Sequence, residues 1–126
     1  MKDFRGLSVW QKAHAVTLGI YRVTRSSPRE ETYGITSQMR RCSSSVAANI
    51  AEGCGRRGNA EFARFLGMAM GSASELEYFL LLSHDLGYVE SDVYTSLTGE
   101  VSTMRRMLNG LISKIRQEHS LSLIHI

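Results

Sequence analysis

The sequence predicts an all-α protein folded as an antiparallel up-down-up-down four-helix bundle. Three observations carry that prediction. Apolar residues recur at helical spacing along most of the chain, proline occurs once, at Pro28, and the breaks between periodic segments are short. Short connections between long helices make neighbours antiparallel. A chain of 126 residues sets one domain as the prior. Residues 1–118 form the expected bundle and residues 119–126 a tail.

In the first segment Val9, Ala13, Val16, Ile20 and Val23 fall on one face, with Trp10, His14 and Tyr21 beside it. Ser26, Ser27 and Pro28 end it, because the residue before proline disfavours helix. The second segment starts near Ile35 and carries the stripe Ile35, Met39, Cys42, Val46 and Ile50. Gly53 and Gly55 mark its end. The third opens with Asn59 as N-cap and runs to Leu86, with Gly87 as the glycine that stops it. Phe62, Leu66, Ala69, Ala73, Leu76 and Leu80 line its inner side. Gly67 and Gly71 each weaken a helix by up to ~1 kcal/mol, which predicts a close helix contact at their level. The fourth begins after Ser91, and Tyr94, Leu97, Val101, Met104, Leu108, Leu111 and Ile115 keep heptad spacing. The tail contains Leu121-Ser122-Leu123-Ile124-His125-Ile126, apolar without helical order. It matches what a transposon-end sequencing adapter would encode in frame, so it reads as a non-native scar.

Composition excludes several classes. The hydrophobic fraction is 43% and the charged fraction 21%, both ordinary for a globular protein. Two cysteines are too few for a disulfide framework. Cys42 and Cys54 lie roughly 18 Å apart along one helix, too far to bridge within it. No signal-like segment opens the chain and no stretch reaches the ~18 apolar residues of a membrane span. The expectation is a cytoplasmic protein with no membrane part.

Enzyme chemistry finds little support. Carboxylate-bridged metal sites in bundles use Glu-x-x-His pairs, and none is present. No nucleophile elbow surrounds Ser43-Ser44-Ser45, and no phosphate-binding glycine loop occurs. The expectation is a non-enzyme with no metal and no cofactor. Asn49 and Glu52 share a helix face. Their structural reading is a polar cluster in which Glu52 pairs with an arginine and Asn49 caps a loop.

Charge is the informative quantity. The net charge is +3, but residues 1–66 carry net +6 and residues 67–126 net −3. Twelve of the fifteen basic residues are arginine, whose fork matches phosphate geometry. The candidate phosphate contacts are Arg40 and Arg41, Arg56 and Arg57, and Arg64, with Arg22 and Arg25 as lesser ones. The competing reading pairs arginines with Glu52, Glu61, Glu75 and Glu77. Aromatics are sparse around these arginines, which argues against base stacking.

Several segments together resemble a known family. They are Phe4, Leu7, Val9-Trp10 and Ala13; then Tyr33-Gly34, Ser37-Gln38 and Arg40-Arg41; then Ala47-Ala48-Asn49-Ile50-Ala51-Glu52-Gly53. Glu61-Phe62, Arg64-Phe65-Leu66, Gly71-Ser72, Glu75-Leu76 and Asp85-Leu86-Gly87-Tyr88 complete the set. This pattern is similar to the four-helix bundle proteins encoded in intervening sequences of bacterial large-subunit ribosomal RNA genes. That family includes the accessory variability determinant of diversity-generating retroelements. The resemblance implies a homopentameric barrel with a basic surface that binds RNA or DNA, and in the retroelements a reverse transcriptase as partner. The alternative it leaves open is a structural protein-interaction scaffold.

Overall fold

The protein is described by a computed structural model over residues 3–124. Four α-helices follow one another: α1 (Ser8–Val23), α2 (Ile35–Cys54), α3 (Asn59–Asp85) and α4 (Ser91–Ile124). Three 3-10 turns precede or join them, at Phe4–Gly6, Thr24–Ser26 and Arg29–Glu31. Among the described residues no strand forms. No helix among them is long and apolar enough to cross a membrane.

Side-chain pairs crossing between helices run in reverse order. Thr17 of α1 donates to the Ser43 carbonyl, and Arg40 of α2 reaches back to Thr24. Ser72 meets Ser45 while Ser83 meets Met39, which sets α3 antiparallel to α2. Arg105 meets Glu77 while Ser91 meets His84, which sets α4 antiparallel to α3. Neighbours in sequence are therefore neighbours in space, and α4 closes the ring against α1.

The core is the seam the periodicity predicts. Val16, Ile20, Met39, Val46, Ile50, Leu66, Leu76, Leu80, Val101, Met104, Leu108 and Ile115 are fully buried. The seam of α4 shifts after Leu108: Ile112 is buried and Leu111 only partly so. An α-helix turns 3.6 residues per turn, so a seam read at 3.5 drifts off the inner face over four turns.

Several expectations are corrected. Gly55 ends α2 with φ −84°, and the left-handed glycine of this connection is Gly58 at φ +81°. Asn59 is the first helical residue of α3, not its N-cap; Gly58 takes that place and supplies no side-chain cap. α3 ends at Asp85, and Gly87 at φ +80° turns the chain as expected. A β-carbon at Gly67 or Gly71 would meet nothing within 4 Å, so neither glycine makes a close contact inside the bundle. The close approach is at Gly53, where a β-carbon would stand 3.0 Å from both Phe62 and Phe65. α4 continues through residue 118 to Ile124, since neither glycine nor proline interrupts that stretch. Residues 125–126 of the expected tail lie outside the described residues.

Candidate nucleic-acid interface

The seven candidate arginines do not form one patch. Arg40 and Arg56 lie sixteen residues apart along α2 and its end, about 24 Å along the axis. Arg22, Arg25, Arg40 and Arg41 lie toward the end of the bundle where α1 stops and α2 starts, Arg22 on the α4 side and Arg41 on the α3 side. Arg56, Arg57 and Arg64 gather at the α2–α3 turn.

At the α2–α3 turn the arginines are largely neutralised. Arg64 grips Glu61 through two hydrogen bonds, 2.8 Å from Nε and 3.2 Å from Nη2. Arg56 stands 3.9 Å from Glu52. Both guanidinium groups lie over the Phe65 ring, at 5.0 Å for Arg56 and 4.6 Å for Arg64. The hydrogen bond from Arg64 holds the Glu61 carboxyl below the usual carboxylate range, and Glu61 holds the Arg64 guanidinium above its own. Arg57 is exposed and has no ion pair among the described residues.

The other end is different. Arg40 donates from Nε to the Thr24 hydroxyl at 2.9 Å and lies over the Tyr21 ring at 4.7 Å. These partners are neutral, so they orient the guanidinium without cancelling its charge. Arg41 hydrogen-bonds Gln38 and stands 3.5 Å from Glu75 across the α2–α3 face. Arg22 and Arg25 are exposed, and neither forms an ion pair among the described residues. Arg22 shares a shallow cleft with Asp92.

The alternative reading of the arginines is thus correct for four of them. Glu52, Glu61, Glu75 and Glu77 each hold one, the last being Arg105 at 2.9 Å. Arg22, Arg25, Arg40 and Arg57 have no carboxylate partner among the described residues. Glu52 pairs as expected, but Asn49 caps no loop: its amide donates to the Ser45 carbonyl and hydroxyl one turn earlier.

Two aromatics that spacing did not single out join Arg40 and Arg41. Tyr21 comes from α1, and Tyr33, 95% exposed, comes from the turn ahead of α2. Only the antiparallel packing of α1 on α2 brings Tyr21 there. Tyr33-Gly34 directly before a helix start was the one legible signal.

Other polar groups singled out in the sequence have local partners. His14 stacks on Trp10 at 5.0 Å and His84 on Tyr94 at 4.3 Å. Ser43 and Ser44 bond back to the Arg40 carbonyl. Burial first, then the neighbouring Glu75 carboxylate, push the Cys42 thiol up to about 12. Among the described residues no three His, Cys, Asp or Glu side chains converge as a metal site.

Comparison with known proteins gives a consistent picture. Residues 5–110 match the family described as 23S rRNA-intervening sequence protein. A solved structure from Bacteroides thetaiotaomicron, a protein of unknown function from the S23 ribosomal protein family, superposes with a TM-score of 0.77. It is 24% identical, and the match covers 83% of this chain and 95% of that one. At that identity the likeness establishes the fold. No curated protein matches the chain.

Proposed function

The chain belongs to the 23S rRNA-intervening sequence protein family, and on that premise we propose that it is a non-enzymatic accessory module that binds RNA or DNA. One observation carries this reading: Arg22, Arg25, Arg40 and Arg57 form no ion pair with a carboxylate among the described residues. A bundle that needed its arginines for its own ion pairs would not leave these out. Guanidinium groups held by neutral partners are poised for phosphate oxygens.

A homo-oligomer belongs to the same reading. α3 turns Gly67, Gly71, Ser74, Tyr78 and Leu81 outward, an uncharged stripe whose large members are Tyr78 and Leu81, with exposed Met68 to one side beside Arg64 and Glu75. A helix with apolar side chains on its outer as well as its inner side is normally covered. Copies joined there would repeat the basic ends and add avidity for a polyanion. Light scattering on the purified protein reads the assembly directly.

The test of binding is an anisotropy titration against structured RNA, DNA duplex and RNA–DNA hybrid at two salt concentrations. Binding should weaken steeply with salt. Removing one phosphate contact, as in Arg57→Ala or Arg25→Ala, should lower the salt slope by about 1. No binding at low salt overturns the reading. The scaffold reading, which the uncharged stripe of α3 favours, would then take its place.

A further inference from the structure

The net charge of −3 over residues 67–126 conceals two unlike stretches. Residues 67–100 hold every acidic residue of that half except Glu118, and no lysine or arginine. Residues 101–117 hold Arg105, Arg106, Lys114 and Arg116, and no carboxylate. Residues 4–29, which contain α1, are built the same way: Arg5, Lys12, Arg22, Arg25 and Arg29 without an aspartate or glutamate. The fold lays these two carboxylate-free stretches side by side, because α4 closes the ring against α1.

Where they meet, a cleft of about 330 Å³ opens between Leu7 and Val9 on one side and Met107, Gly110 and Lys114 on the other. A second cleft, about 640 Å³, runs along α4 past Ser113, Arg116 and Gln117. Among the described residues neither is lined by a carboxylate or an aromatic ring. Arg106, Gly110, Lys114 and Gln117 follow one another at helical steps, so they share the exposed ridge between the two clefts.

The charge on this face is not spent inside the bundle. Arg105 is, on Glu77 at 2.9 Å. Arg106, Lys114 and Arg116 are exposed, and none forms an ion pair among the described residues. Neutral partners steady Arg106, which donates to the Ser102 hydroxyl at 3.3 Å and the Thr103 hydroxyl at 3.2 Å. At the borders Glu100 is held by Lys12 at 3.6 Å and Asp3 by Arg5 at 3.4 Å. Glu118, just past Gln117, is the one bordering carboxylate without an ion pair among the described residues.

We propose that this α1–α4 face seats the phosphate backbone of a nucleic-acid duplex, through Arg106, Lys114 and Arg116, without reading its bases. It rests on the nucleic-acid reading above and names the surface and the form of the ligand. The three cations span about 15 Å of a rigid helix. A duplex carries one charge per about 1.7 Å of its axis, so a row of that length meets several phosphates at once. Single strands are held by stacking on aromatic rings, and neither cleft offers one. Contacts to phosphate alone carry no sequence information.

The experiment titrates the full chain across a salt series with labelled RNA and DNA duplexes, each in two unrelated sequences, and with oligouridine and polyglutamate. Arg106→Ala, Lys114→Ala and Arg116→Ala should each lower the duplex salt slope by about 1, equally for both sequences. Gly110→Glu places a carboxylate on the ridge where nothing lies within 4 Å of the new β-carbon, and glutamate suits a helix better than glycine. The fold therefore holds, duplex binding should weaken several-fold, and Gly110→Gln should leave it unchanged. The duplex that binds more tightly identifies the source of the phosphates. If duplexes bind and every one of these variants matches the wild type while Arg57→Ala lowers the slope, this face is not the seat and the general nucleic-acid reading survives. If oligouridine binds as tightly as either duplex, or the two sequences differ, the assignment to a duplex backbone falls and the general reading again survives. If polyglutamate binds and no nucleic acid does, the face takes acidic protein and both readings fall. If nothing binds, both fall as well.

Discussion

Three glycines in one helix pair should respond to alanine with opposite signs. At Gly53 the new methyl would stand 3.0 Å from Phe62 Cδ1 and 3.0 Å from Phe65 Cβ. Carbon pairs rest comfortably at about 3.5–4.0 Å. The Phe62 ring can tilt a little, but the Phe65 β-carbon is fixed to its backbone, so α2 and α3 must part. Overpacking of this kind costs about 1–3 kcal/mol. Alanine returns about 1 kcal/mol of helix propensity, which leaves Gly53→Ala destabilised by roughly 1 kcal/mol. At Gly67 and Gly71 nothing lies within 4 Å, so only the propensity gain of about 0.8–1 kcal/mol remains. Urea and thermal unfolding followed by circular dichroism read all three. In dilute protein Gly67→Ala and Gly71→Ala should each raise Tm by roughly 4 °C, and Gly53→Ala should lower it by a similar amount. Protein concentration is the second axis. If copies join through α3, the gain at Gly67 turns into a loss as concentration rises. Gly53→Ala at or above wild-type stability would refute the packing argument. Gly67→Ala that stabilises at every concentration would refute assembly on that face.

Two further outcomes follow from the titrating groups. The Cys42 thiol, 1% exposed and pushed up to about 12, should resist alkylation at pH 8 in the native protein and react at once in urea; rapid native labelling would show that α2 opens locally. The hydrogen bond to Glu31 raises the Tyr88 hydroxyl above its ordinary value of 10.0. Its contribution is therefore complete below the unfolded tyrosine pKa and is lost as pH rises through the folded one. Tyr88→Phe should lower stability at neutral pH, and its stability should fall less than that of the wild type in strong alkali. Parallel alkaline profiles would separate Tyr88 from this link.

Much of the fold was legible because its cause is local. The helical period located α1 to α4 and nearly all of the core, from Val9 to Ile115. What failed depended on the third dimension. Gly67 and Gly71 looked like contact residues because a glycine in a helix is costly, but only packing reveals which face they occupy. The true contact glycine, Gly53, looked like a terminator. Gly55 and Gly58 are indistinguishable by composition, and only Gly58 adopts positive φ. The same division holds at the site. The four glutamates that hold arginines could be named from charge alone, three of them holding candidate contacts. Tyr21 could not be joined to Arg40 and Arg41, since that meeting requires α1 to pack on α2, whereas Tyr33 sits directly ahead of α2 in the chain.

The two arginine groups also differ in what they can give a phosphate. Arg64 is committed to Glu61 by two hydrogen bonds, so a polyanion that engages it must first displace a carboxylate. That exchange swaps one anionic partner for another and yields little. Arg57, a few residues away, has nothing to displace. Glu61→Gln therefore becomes the sharper variant. It leaves the shape unchanged, removes one negative charge beside Arg64, and frees a guanidinium already stacked on Phe65. RNA affinity should rise and the salt slope should grow by about 1, because one more phosphate can be neutralised. Arg64→Ala in that background should remove the gain, whereas Arg64→Ala alone should change the slope by less than Arg57→Ala does. Anisotropy titrations across a salt series measure each slope. Unchanged binding by Glu61→Gln would place Arg64 outside the interface.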